Sequence, residues 1–144
     1  MSFCEVKSPP EFDDKIEKWD RDTYADGEKM GGVIEKLLNN TIYNNTEINR
    51  MAREVELTLR ASGWSASAPY TQTVDVPGLK ETDKVLMMSA IKTDTAVATA
   101  NTWDKMGALV KAGKALDGQA VFYCPKKKPA SDFNIKLLGV SANE

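Results

Sequence analysis

The stretch Glu56–Gly78, ELTLRASGWSASAPYTQTVDVPG, decides the fold, because the period of the sequence changes inside it. Leu57 and Leu59 alternate with Thr58 and Arg60, while Tyr70, Gln72, Val74 and Val76 share one face opposite Thr71, Thr73 and Asp75. A repeat of two sends successive side chains to opposite faces of a strand. Ala61, Ser62 and Gly63 loosen the chain between the two runs, and Pro77-Gly78 ends the second. Two strands are expected here.

Downstream the same grammar continues. VLMMSAI, from Val85 to Ile91, is apolar on both faces and predicts a central strand covered on both sides. Thr93 and Asp94 read as a helix start, with Val97, Ala100 and Trp103 on one side of a helix of about three turns. Asp117-Gly118 lies between the β-compatible runs ALVKAGKAL and QAVFYC, a strong hairpin signal. Pro125 stops the second of these runs, and Phe133, Ile135 and Leu137 alternate with polar residues in a last strand. About six strands and one helix make residues 56–144 a compact α+β domain, the helix lying on a mainly antiparallel sheet.

Upstream the period is helical. From Val33 to Val55 there is no proline or glycine. A seven-residue template places Ile34, Thr41, Ile48 and Val55 at one core position and Leu37, Asn44 and Met51 at the other. Leu38, Ile42 and Ala52 widen the apolar face. This stem, residues 33–55, either assembles with copies of itself as a trimeric coiled coil or lies on its own β-domain. About three heptads favour assembly, and the polar pair Thr41 and Asn44 in mid-seam would fix the register.

Residues 1–32 read as an arm. Ser8, Pro9 and Pro10 stiffen an extended start. In EFDDKIEKWD, Phe12, Ile16 and Trp19 form a one-sided stripe on a short expected helix, which is too short to hold itself folded and needs a surface to anchor on. Gly27, Gly31 and Gly32 are read as breaks before the stem.

Composition narrows the chemistry. The 144 residues suit one ordinary domain, or a small domain with an extended arm, and the 42% apolar content permits a core. There is no histidine, which removes the commonest general base and metal ligand, and Cys4 and Cys124 form no CxxC. No catalytic set, cofactor motif or metal site is expected. Asp13 and Asp14 point in different directions on a helix and lack a convergent partner. A net charge of -2 argues against nucleic acid. The run Lys126, Lys127, Lys128 reads as a solvated loop. No apolar run approaches the roughly 18 residues of a membrane span, and residues 1–20 lack the apolar centre of an export signal, so synthesis in a cytoplasm is expected. The sequons at Asn39 and Asn44 are read as chance.

Trp64, Ser65, Ser67, Ala68, Pro69, Tyr70, Thr71, Gln72 and Thr73 spell W-S-x-S-A-P-Y-T-Q-T. With the helix around ANTWDKM, the Asp-Gly hairpin and the last alternating strand, this resembles the small C-terminal β-domain of structural proteins from phages and prophages of Gram-positive bacteria. FDDKIEKWDRDTYADGEKMGGVIEKLLNN similarly resembles their N-terminal regions. The resemblance implies a non-enzymatic virion or tail-like-particle component: a short fibre, baseplate-peripheral or capsid-decorating subunit, trimeric and joined to other particle proteins by its arm. The alternative is an adhesive module whose β-domain binds a host surface glycan through Trp64 and Tyr70.

Overall fold

A computed structural model describes residues 3–19, 21 and 26–141. They divide into two compact units, one up to Asn49 and one from Arg50 onward. The arm and most of the stem therefore fall in one unit, and the β-rich segment falls in the other.

In the first unit, helix α1 spans Gly27–Ala52. It starts before Val33 because Asp26 caps it: the Asp26 carboxylate accepts the Glu28 N–H at 2.9 Å and its carbonyl accepts the Met30 N–H at 2.9 Å. Gly27, Gly31 and Gly32 are thus helical, against the expectation of a break. Each costs about 1 kcal/mol relative to alanine, a penalty the cap and the long apolar pattern behind it outweigh. At the other end the helix stops at Ala52, so Val55 is not a seam residue; it lies in a strand opposite Leu137.

The arm corrects the expectation of a short helix. Residues 3–19 carry no helical turn and bend at Ser8 and Pro9. Phe12, Ile16 and Trp19 therefore form no helical stripe; they are 53%, 38% and 41% exposed. A helix this short is marginal in water, and α1 offers the arm backbone other hydrogen-bond partners.

The second unit holds β1 (Glu54–Leu59), β2 (Tyr70–Asp75), β3 (Leu86–Ser89), helix α2 (Val97–Gly107), β4 (Ala112–Leu116), β5 (Gln119–Cys124) and β6 (Phe133–Leu138). Two antiparallel sheets result, ordered β1-β6-β3 and β2-β5-β4. Leu57, Leu59, Phe133, Ile135 and Leu137 from the first and Ala115, Ala120, Phe122 and Cys124 from the second join one core cluster. Alternate residues of the first sheet face outward as a polar ladder: Thr58 donates to Asn134, Asn134 to Glu56, and Lys136 pairs with Glu54 at 3.0 Å. The period of two thus sorts the sheet into a wet and a dry face. Helix α2 rests on β6 and β3 and adds Trp103 and Met106 to the core.

The Asp117-Gly118 hairpin is present, with Leu116 opposite Gln119 and Gly118 alone at φ +74°. The β2–β3 loop fastens onto this tip: Gly118 N–H donates to Leu79 O at 2.8 Å, and Leu79 is 1% exposed. Two expectations fail. VLMMSAI is not a central strand: β3 pairs only with β6, and Leu86 and Met88 are 61% and 46% exposed. The centres of the sheets are β6 and β5. Helix α2 begins after Ala96, while Thr93 and Asp94 sit in a turn that Thr95 closes by accepting the Lys92 N–H at 2.9 Å.

Candidate functional site

The arm and α1 present the most specific arrangement in the first unit. Asn40 uses both ends of its amide on one residue, accepting the Asp13 N–H and donating to the Asp13 carbonyl, each at 2.8 Å. Asn39 accepts the Lys7 N–H at 2.9 Å and donates to the carbonyls of Glu5 at 3.0 Å and Glu35 at 2.9 Å. The side-chain amides stand in for a neighbouring strand. They are the only buried residues of α1, and burial without these partners would cost more than the bonds return.

The two legs of the arm run in opposite senses along the helix. Glu5 N–H meets Glu35, and Lys7 meets Asn39 further along; after the bend Phe12 packs on Tyr43 at 5.7 Å, Asp13 meets Asn40, and Lys15 O accepts from Lys36 at 2.8 Å. Lys36 also pairs with Asp13 at 3.2 Å. The Lys15 N–H and Lys36 hold the Asp13 carboxyl below its ordinary range. Asp13 is thus a fastening residue rather than half of an acid–base pair. Sequence reasoning assigned Asn39 no role beyond a sequon; its amide is used by the arm at Glu5 and Lys7 and by the helix's own Glu35 carbonyl. The signal that could have marked the pair is two adjacent amides on a helix whose other buried positions are absent. Replacing both Asn39 and Asn40 with Ala should release the legs: hydrogen exchange at the Lys7 and Asp13 amides is expected to rise at least about tenfold, at roughly 1 kcal/mol per bond lost. Unchanged protection would show that the amides do not hold the arm.

On another side of α1 lies the predicted seam. Ile34, Leu37, Thr41, Asn44, Ile48 and Met51 are all exposed, with Ile34, Leu37, Ile48 and Met51 between 51% and 60%. Thr41 turns its hydroxyl back to the Leu37 carbonyl at 2.9 Å, which leaves its methyl as the outward group. The positions flanking the seam are Val33, Asn40 and Glu47 on one edge and Leu38, Asn45 and Ala52 on the other, a single charge among six.

Among the described residues the β-rich unit holds one buried ion, Asp83. Asp83 accepts from the Ser141 hydroxyl at 2.6 Å, the Ser141 N–H at 2.9 Å and the Lys80 N–H at 3.1 Å, with Arg50 at 3.5 Å. Arg53 donates to the Ser141 carbonyl. Burial pushes the Asp83 carboxyl up, but the Ser141 and Lys80 bonds and the Arg50 charge together hold it below its ordinary value. Lys80 and Ser141 lie in loops and Arg50 in the last turn of α1, so the carboxylate ties these segments together.

The residues expected as ligand contacts do not form a platform. Trp64 is 6% exposed and belongs to the core. Tyr70 is half-buried against the same core, with the Lys128 ammonium 5.6 Å from its ring centre. Cys124 is buried and its thiol is pushed up by burial, while Cys4 is exposed. Among the described residues no cluster of acidic or cysteine side chains has metal-binding geometry, and no helix is long and apolar enough to cross a membrane. No protein-family model, curated protein or solved structure matches the chain.

Proposed function

We propose that the chain is a non-enzymatic structural subunit of a phage or phage tail-like particle, self-assembling through α1 and attached to neighbouring particle proteins by its arm. The observation that carries this reading is the seam: six heptad core positions are exposed on a helix whose other side is already occupied by the arm. Soluble monomers rarely leave so regular an apolar stripe uncovered.

The flanks are compatible with a parallel arrangement of copies. In parallel register Val33 would meet Leu38 of the next copy and Glu47 would meet Ala52, so two apolar residues are set together and no two charges of one sign meet. Val33 and Leu38 broaden the stripe beyond two core positions, which suits a helix touching two neighbours, as in a trimer. Asn44 in the seam supplies a polar layer that penalises shifted registers.

Ile48→Asp places a carboxylate in the seam at a residue 59% exposed in the single chain, so the fold of each chain should survive. Sedimentation is expected to show monomers at concentrations where the unaltered chain is oligomeric. An Ile48→Asp chain with unaltered mass would remove α1 from the interface. The attachment role is tested separately by deleting residues 1–19, which should abolish incorporation into particles while the circular dichroism of the β-rich unit is kept. Particles holding the shortened chain at full occupancy would exclude the arm as the anchor.

A further inference from the structure

The apolar stripe of α1 has no further layer along the helix. Val55, the next position in the repeat of seven after Met51, lies in β1 and packs against the core. Met51 itself is exposed and, with Arg50, falls in the second unit.

Within that unit the outer face of the first sheet is divided. Over β1 and β6 it carries the polar ladder of Glu54, Glu56, Thr58, Asn134 and Lys136. On β3 the same face carries Leu86 and Met88, two residues apart and both exposed. Leu138 lies opposite Leu86 across the β6–β3 ladder. Met51, Leu86 and Leu138 line one open hollow of about 520 Å³. The stripe that ends in the sequence at Met51 is thus continued in space by β3. Of the two cations that also line the hollow, Arg50 faces Asp83 at 3.5 Å, and Lys84 has a stem long enough to lift its ammonium to water.

We propose that Met51, Leu86 and Met88 form one contact with a second copy of this chain, so that the interface between copies runs from α1 onto the outer face of β3. In a parallel arrangement the last stem turn of each copy stands level with that of its neighbour. The neighbouring copy's Met51 is therefore at the height of the hollow, and Leu86 and Met88 take the place of the layer that Val55 leaves vacant. The patch begins at the last seam residue, and this continuity selects a second copy over an unrelated partner. The polar ladder beside β3 bounds the contact on its other side. The inference rests on assembly through α1.

The test is thiol labelling of the full chain. Leu86→Cys is made together with Cys4→Ser, because Cys4 is exposed while Cys124 is buried, and its alkylation by iodoacetamide is timed with and without Ile48→Asp. Leu86 is 61% exposed in the single chain, so the fold should survive. The thiol is expected to react at least about tenfold more slowly in the assembled chain than in the Ile48→Asp chain, since a covered group reacts only from opened states. Thr58→Cys, on the polar part of the same face, should react alike in both. Leu86→Asp with Met88→Asp should raise the dissociation constant of the assembly at least about tenfold, because it sets carboxylates in an apolar contact. Equal labelling of Leu86→Cys in a chain whose mass is three copies, or an unchanged dissociation constant for the double variant, would overturn this contact and leave the seam standing. A single-chain mass without Ile48→Asp would overturn both.

Discussion

Trp64→Ala is expected to lower the unfolding free energy of the β-rich unit by about 3–5 kcal/mol, the range for deleting a buried large aromatic. Trp64 is 6% exposed and packed in the core with both sheets, so the loss arises from a cavity that these sheets close only partly. Urea unfolding followed by circular dichroism measures it, and Trp64→Phe should recover part of the loss. The same variant separates the two functional classes raised by the sequence. A glycan-binding tryptophan would lose ligand and keep its fold; a core tryptophan loses stability. A shift in stability below about 1 kcal/mol, typical of surface positions, would return Trp64 to the list of ligand contacts.

Asp83→Ala should cost about 2–4 kcal/mol, the scale of removing one partner from a buried, charge-assisted network. Three donors and the Arg50 charge converge on a side chain that is 4% exposed. The pH dependence has a definite sign. Because the folded carboxyl lies below its ordinary value, the unfolded chain binds the proton more readily. The Asp83 contribution is then fully present above the unfolded carboxylate value of about 4 and is lost as the pH falls through the lower folded value. Stability measured from neutral pH downward should therefore fall in the acid limb for the unaltered chain and less steeply for Asp83→Ala. Parallel acid limbs would mean that Asp83 is not held as an ion.

Local chemistry was legible in the sequence where neighbours along the chain decide the outcome. The Asp117-Gly118 turn needs only a left-handed residue between two runs, and Phe133, Ile135 and Leu137 need only a period of two. The misreadings have a common cause in partners distant along the chain. Phe12, Ile16 and Trp19 fit a helical spacing, but Asn40 binds that backbone at Asp13 in a non-helical form. Val55 satisfies both a period of seven and a period of two, and the helix end at Ala52 decides between them. VLMMSAI was apolar on both faces, as a covered strand would be, yet β3 is an edge. Its exposed Leu86 and Met88 record a missing cover rather than a present one. The seam residues from Ile34 to Met51 were legible as a pattern, since a heptad repeat states what a helix wants beside it without stating what is there.

The mass of the intact chain in solution tests self-assembly most directly. Native mass spectrometry or sedimentation equilibrium at micromolar concentration should give three times the 15.9 kDa chain mass, with the trimer dissociating on Ile48→Asp. A mass of one chain at every concentration up to about 1 mM, the weakest affinity a specific interface would show, would contradict assembly through α1.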